Sequence, residues 1–150
     1  QLLLSRAMSY EKLDKLDDFE ADMRAVLRAE PDNPSALNAL GYTLADRTSR
    51  LSEAEAYIRR AYDIKPNDPS IIDSMGWIKF KLGDTTGALD DLRRAYALFP
   101  DDEIAAHLGE VLWQLGQKNE ARRIWVEALH QHPSSLHIPR TRQRLDPNTP

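Results

Sequence analysis

A period near 34 residues runs through this chain and restricts the folds open to it. Pro31, Pro66, Pro100 and Pro133 are spaced by 35, 34 and 33, and each closes a similar phrase: AVLRAEP, RAYDIKP, RAYALFP and EALHQHP. Gly41, Gly76 and Gly109 follow large apolar residues at spacings of 35 and 33, and Ala54, Ala88 and Ala121 recur at 34 and 33. Self-similarity at a fixed period of this length is the signature of a stacked repeat, in which each unit buries its apolar face only against its neighbours.

Each unit reads as two helices. The first opens after a Pro-Asx turn, with Asn33 and Asp68 as N-caps and Pro34 and Pro69 at the first helical position. Leu37, Leu40, Gly41 and Leu44 recur at helical spacing, as do Ala105, Leu108, Gly109 and Leu112. Gly83 and Gly116 read as left-handed C-caps. The first full unit has no such glycine; its turn, Arg47 to Arg50, is followed by Ser52-Glu53-Ala54-Glu55, which reads as a capping box. The second helices run through Ala54, Ile58 and Ala61, then Ala88, Leu92 and Ala95, then Ala121, Trp125 and Ala128. A helical glycine costs about 1 kcal/mol relative to alanine, which is reasonable where a second helix must cross closely. The repeating alanines are expected to supply the matching shallow surface.

This pattern of a large-small pair, alanines and a closing proline resembles the tetratricopeptide repeat (TPR). The resemblance implies an all-α, right-handed superhelical solenoid. Residues 34–68, 69–101 and 102–135 are then full repeats. Residues 1–33 form a degenerate one, with Leu3, Ala7 and Tyr10 in its first helix and Phe19 and Val26 where later units have alanine. Residues 136–150 read as a polar capping helix and a frayed tail.

Helical phase in the second full unit puts Met75, Ile78 and Leu82 toward a core and Asp73, Trp77, Phe80 and Lys81 on another stripe. In the first full unit the corresponding stripe holds Asn38, Tyr42, Ala45 and Asp46. In the third it holds Ala106, His107, Glu110, Trp113 and Gln114, and the degenerate unit adds Leu4, Met8 and Glu11. In a TPR array this stripe lines the concave wall. Aromatic side chains ringed by polar groups are the usual make-up of a protein contact. The candidate partner-binding residues are therefore Asn38, Tyr42, Asp73, Trp77, Phe80, Lys81, His107, Glu110 and Trp113. Tyr42 and Trp77 are the two hardest to bury within the repeat. Phe80 and Trp113, at the stripe's edge, either face a ligand or pack on a neighbouring second helix.

Composition narrows the function. Net charge is −4 with both signs interleaved, so no basic stripe for nucleic acid is present. No cysteine occurs, which excludes disulfides and thiolate chemistry. His130 and His132 are two apart and make a poor metal pair. The serines lack a nucleophile-elbow motif, and no glycine-rich phosphate loop exists. No cofactor and no catalytic residue is expected. The arginine doublets Arg59-Arg60, Arg93-Arg94 and Arg122-Arg123 read as a solvated outer face.

The phrases NALGYTLADRTSRLSEAEAYIRRAY, DPSIIDSMGWIKFKLGD and DDEIAAHLGEVLWQLGQKNEARRIW further resemble the C-terminal repeats of bacterial TPR lipoproteins. That group includes outer-membrane adaptors that bring substrates to periplasmic carboxyl-terminal processing proteases. The resemblance implies a non-enzymatic adaptor binding a protein or peptide on its concave face. It also implies a periplasmic location, with an N-terminal lipoprotein signal outside this piece, since Gln1 is no natural start. The alternative is a structural module that self-associates or braces a larger repeat protein.

Overall fold

The computed structural model describes residues 15–148. The candidate residues Leu3, Leu4, Ala7, Met8, Tyr10 and Glu11 lie outside that range. Eight helices and no strands occur among the described residues: α1 (Leu16–Ala29), α2 (Pro34–Arg47), α3 (Leu51–Ile64), α4 (Pro69–Lys81), α5 (Thr85–Leu98), α6 (Asp102–Gln114), α7 (Lys118–Gln131) and α8 (His137–Leu145). The fold is an all-α helical repeat. The chain separates between Asn67 and Asp68 into two compact units.

In the first unit, α2 packs on both α1 and α3. Asn33 caps α2 by accepting the Ala36 N–H at 3.0 Å, with Pro34 at the first helical position. Phe19, Met23 and Val26 bury the inner stripe of α1 where α3 uses Ala54, Ile58 and Ala61. The capping box expected at Ser52 does not form. Helix α3 starts earlier, at Leu51, behind an Arg50 that makes no side-chain cap. Glu53 turns instead to Arg24 and Arg50, and Glu55 to Arg59. The acid of the expected box, Glu55, is held by Arg59 one turn on and does not reach back to Ser52.

In the second unit, α4 pairs with α5 and α6 with α7, while α6 also touches α4, α5 and α8. Asp68 and Asp101 cap α4 and α6 by accepting the N–H of Ser70 and Glu103. Both helices end in a Schellman turn. Gly83 has φ 93° and Gly116 φ 82°. Asp84 N–H reaches the Lys79 carbonyl at 2.8 Å, and Gln117 N–H reaches that of Leu112 at 2.9 Å. This turn carries Leu82 outward to 45% exposure, so of the three apolar residues expected in the core only Met75 and Ile78 are there.

The close approaches predicted at the glycines exist, with a different partner. A Cβ on Gly76 would lie 2.8 Å from Leu92 Cγ, and one on Gly109 would overlap the Trp125 indole. On Gly41 it would lie 2.6 Å from Ile58 and 3.0 Å from the Ala54 carbonyl oxygen. The glycine thus receives the large residue one turn beyond each alanine: Ile58, Leu92 and Trp125. The alanine lets the helices close, and the larger side chain fills the notch.

The capping helix forms as expected. Ile138 of α8 is fully buried in the core of the second unit, and Ser135 Oγ accepts its N–H. The arginine doublets stitch elements together and are not merely solvated. Arg60 donates to the Pro31 carbonyl at 2.6 Å, Arg93 to Glu120 at 2.7 Å and Arg122 to Asp146 at 2.9 Å.

Candidate functional site

Helix α4 is buried over the whole run Ile71 to Ile78, and α6 over Ile104 to Leu112. Runs of eight and nine successive residues each cover about two full helical turns, so both helices are covered on every face. One face carries the apolar packing of the helix pairs. The other carries polar groups: Asp73, His107 and Glu110 are all buried on it.

Burying carboxylates is costly unless each finds a partner. Asp73 Oδ1 lies 2.9 Å from His107 Nδ1. Glu110 receives two bonds from the Arg144 guanidinium, one of them 3.0 Å long. Each of these pairs spans 34 residues, one repeat period, so the polar ladder keeps the register of the apolar one.

Trp77 sits inside this ladder. Its indole stacks on the His107 ring at 4.1 Å between centroids and meets the Phe80 ring at 5.2 Å. The Lys81 ammonium lies 5.1 Å from the indole centroid, within cation–π range. Only 4% of Trp77 is exposed, which corrects the expectation that it is hard to bury within the repeat. His107, on the adjacent helix, stacks on the ring that phase alone leaves unpartnered. The exposed rim consists of Lys81 and the outer part of Arg144, with Phe80 half-buried beside them and packed on the core of the second unit.

The structure therefore brings together Asp73, Trp77, Phe80, Lys81 and His107, with Glu110 on the same face. Trp113 belongs elsewhere. It stacks on Trp125 of α7 at 5.8 Å, with the Lys118 and Arg122 cations over its ring. Of the two readings open for Trp113, packing on a second helix is the one realised. Asn38 and Tyr42, both half-buried, lie on α2 in the first unit. Sequence reasoning missed Arg144, which falls within the residues read as a polar capping helix. Its spacing of one period from Glu110 is the signal that marks it.

A Tetratricopeptide repeat family model matches residues 4–69 and 74–135. The chain belongs to the tetratricopeptide repeat family, whose repeats mediate protein–protein interaction and are typically non-catalytic scaffolds. It is 51% identical over 109 residues to a TPR repeat-containing protein of Pseudomonas aeruginosa, a match covering 73% of this chain. The match spans only 18% of that protein's length. A thermophilic TPR protein of Thermus thermophilus superposes over 95% of this chain and 79% of its own, with TM-score 0.81 and 22% identity. An O-GlcNAc transferase of Thermobaculum terrenum superposes over 87% of this chain but 25% of its own, with TM-score 0.77 and 22% identity. At such identity these likenesses speak for the fold alone. No helix among the described residues is long and apolar enough to cross a membrane.

Proposed function

We propose that this chain is a non-enzymatic adaptor, and that the polar and aromatic face of α4 and α6 receives a segment of a partner protein. The observation that carries this reading is the buried set Asp73, Trp77, His107 and Glu110. The apolar packing of the helix pairs does not need it. A set of paired charges around an aromatic ring is held rigid before any partner arrives, which lowers the ordering cost of binding. Lys81 at its rim and the half-buried Phe80 beside it supply the first contacts, one cationic and one apolar. Asn38 and Tyr42 are the candidate contacts of the first unit.

The phrase-level resemblance to TPR lipoproteins supports a finer version. The partner is then a periplasmic carboxyl-terminal processing protease or its substrate, and the full-length protein is anchored at the outer membrane. Affinity capture by the full-length protein, compared with its Lys81→Glu variant at an exposed position, tests the face. Loss of captured partners with an unchanged melting curve supports it, and full retention refutes it. Membrane fractionation tests the anchor: recovery only in the soluble fraction removes the lipoprotein reading.

A further inference from the structure

Within each unit, successive second helices are joined by polar rungs. The first rung is the same in both units. Arg24 of α1 pairs with Glu53 of α3, and Arg93 of α5 with Glu120 of α7. Each arginine stands eight residues after the start of its helix, and each glutamate two. The second rung differs. In the second unit the Tyr96 hydroxyl of α5 donates to the Glu127 carboxylate of α7 at 3.2 Å. Counted from the helix starts, the corresponding residues of the first unit are Leu27 and Arg60. An arginine therefore stands where the other pair of helices supplies its own carboxylate.

The groove between α1 and α3 holds about 270 Å³ and is lined by Arg24, Leu27, Arg28, Pro31, Tyr57 and Arg60, with no carboxylate among them. Arg24 is committed to Glu20 and Glu53 and donates to the Tyr57 hydroxyl at 2.7 Å. That bond leaves the phenolic proton for another acceptor. Arg60 gives an N–H to the Pro31 carbonyl, and the Asp32 carboxylate lies 3.8 Å off on a side chain that is 85% exposed. Arg28 is exposed, with no hydrogen-bond or ion-pair partner among the described residues. The second unit has Ala97 and Ile124 at the places of Arg28 and Tyr57, so the repeat packing demands neither. The whole chain carries a net charge of −4, which makes this a local concentration of cations and not part of a basic surface. It is too short for the stripe that a nucleic-acid backbone requires.

We infer that the α1–α3 groove is a second docking site, taking an acidic segment of a partner protein with two adjacent carboxylates. One carboxylate fills the place that Glu127 holds in the second unit, held by Arg60 and Tyr57. The other pairs with Arg28. Arginine forks suit carboxylates because they can donate two parallel bonds to each. Single exposed ion pairs contribute little, so the site needs both carboxylates, and its affinity falls with salt. It uses no residue of the α4–α6 face and is independent of the reading proposed for that face.

The probe is a fluorescein-labelled peptide, Gly-Ser-Glu-Glu-Leu-Gly-Ser, titrated with the whole chain at low salt and read by anisotropy. Saturable binding is expected, and the same peptide with glutamines for glutamates should not bind. Arg60→Glu restores the arrangement of the second unit and is expected to weaken binding by about tenfold or more. Arg28→Ala, at an exposed position, should weaken it less and leave the melting curve unchanged. Arg59→Glu makes the same charge change beside the groove, at a residue paired with Glu55, and should have a much smaller effect than Arg60→Glu. Should Arg60→Glu lower the melting temperature through its Pro31 bond, Arg28→Ala alone decides. Absence of saturable binding, equal binding of the glutamine peptide, unchanged affinity in Arg28→Ala, or an equal loss in Arg59→Glu overturns the inference. Light scattering that finds a dimer abolished by Arg60→Glu also overturns it, because the occupant is then a second copy.

Discussion

Gly76 shows how one residue sets the distance between two helices. Its missing Cβ leaves room for Leu92, and Asp91 Cβ is the next atom a side chain would meet. Gly76→Leu is expected to cost about 1–3 kcal/mol through overpacking, read as a melting temperature lowered by several degrees. An unchanged melting curve would mean that α4 and α5 do not close on this notch. Asp73 makes a different test. Removing it by Asp73→Ala leaves the buried His107 nitrogen without its acceptor, at about 1–3 kcal/mol. Asp73→Asn keeps an acceptor and should cost visibly less in urea unfolding. Equal losses would argue that bulk at the position matters and the hydrogen bond does not. Trp77 was legible as a residue that apolar pairing does not require. Its burial was not legible, because the groups that cover it come partly from α6, a repeat away in sequence.

At the scale of the element, the helices and their ends were largely readable. Prolines, Asx caps and the two C-cap glycines each act within a few residues, so the local chain carries the information. The start of α3 was misread because Arg50, not Ser52, takes the N-cap position and Glu55 pairs with Arg59, while Glu53 answers to Arg24, on another helix. That contact belongs to a network in which Arg24 and Arg50 both reach Glu20. Hydrogen bonds from Arg50, working against burial and joined by those from Arg24, hold the Glu20 carboxyl at about 2 against an ordinary 4.5. Arg24 and then Arg50 lower Glu53 as well. A depressed carboxylate stabilises the folded state fully above its unfolded value and loses that contribution as pH falls through its folded one. The first unit should therefore lose stability between about pH 4.5 and 2. Arg50→Ala should flatten that acid limb when thermal melts are compared across pH. An acid limb of unchanged slope would show that the network contributes nothing measurable.

At the scale of the whole molecule, the sequence period made the all-α repeat class plain, because three markers carry it independently. What the period could not give was the second use of the same spacing. Asp73 to His107 and Glu110 to Arg144 join different residue types, so no repeat pattern advertises them. The end of the array follows from the same logic. Helix α8 buries Ile138 and brings Arg144 to Glu110. Ending the chain after Pro133 should expose both the apolar seat of Ile138 and an unpaired carboxylate. Lower thermal stability and increased binding of an apolar dye are expected. A truncated chain as stable as the intact one would show that α8 is not a cap.

The central claim is that the face holding Trp77 receives the partner. The three tryptophans give three indole N–H signals in a nitrogen-15 NMR spectrum, and they report from different places: Trp77 within the polar ladder, Trp113 beneath Lys118 and Arg122, and Trp125 fully buried against Gly109. Titration with the partner obtained by capture should move the Trp77 signal and leave Trp125 in place. A titration that saturates while Trp77 stays still would contradict the account.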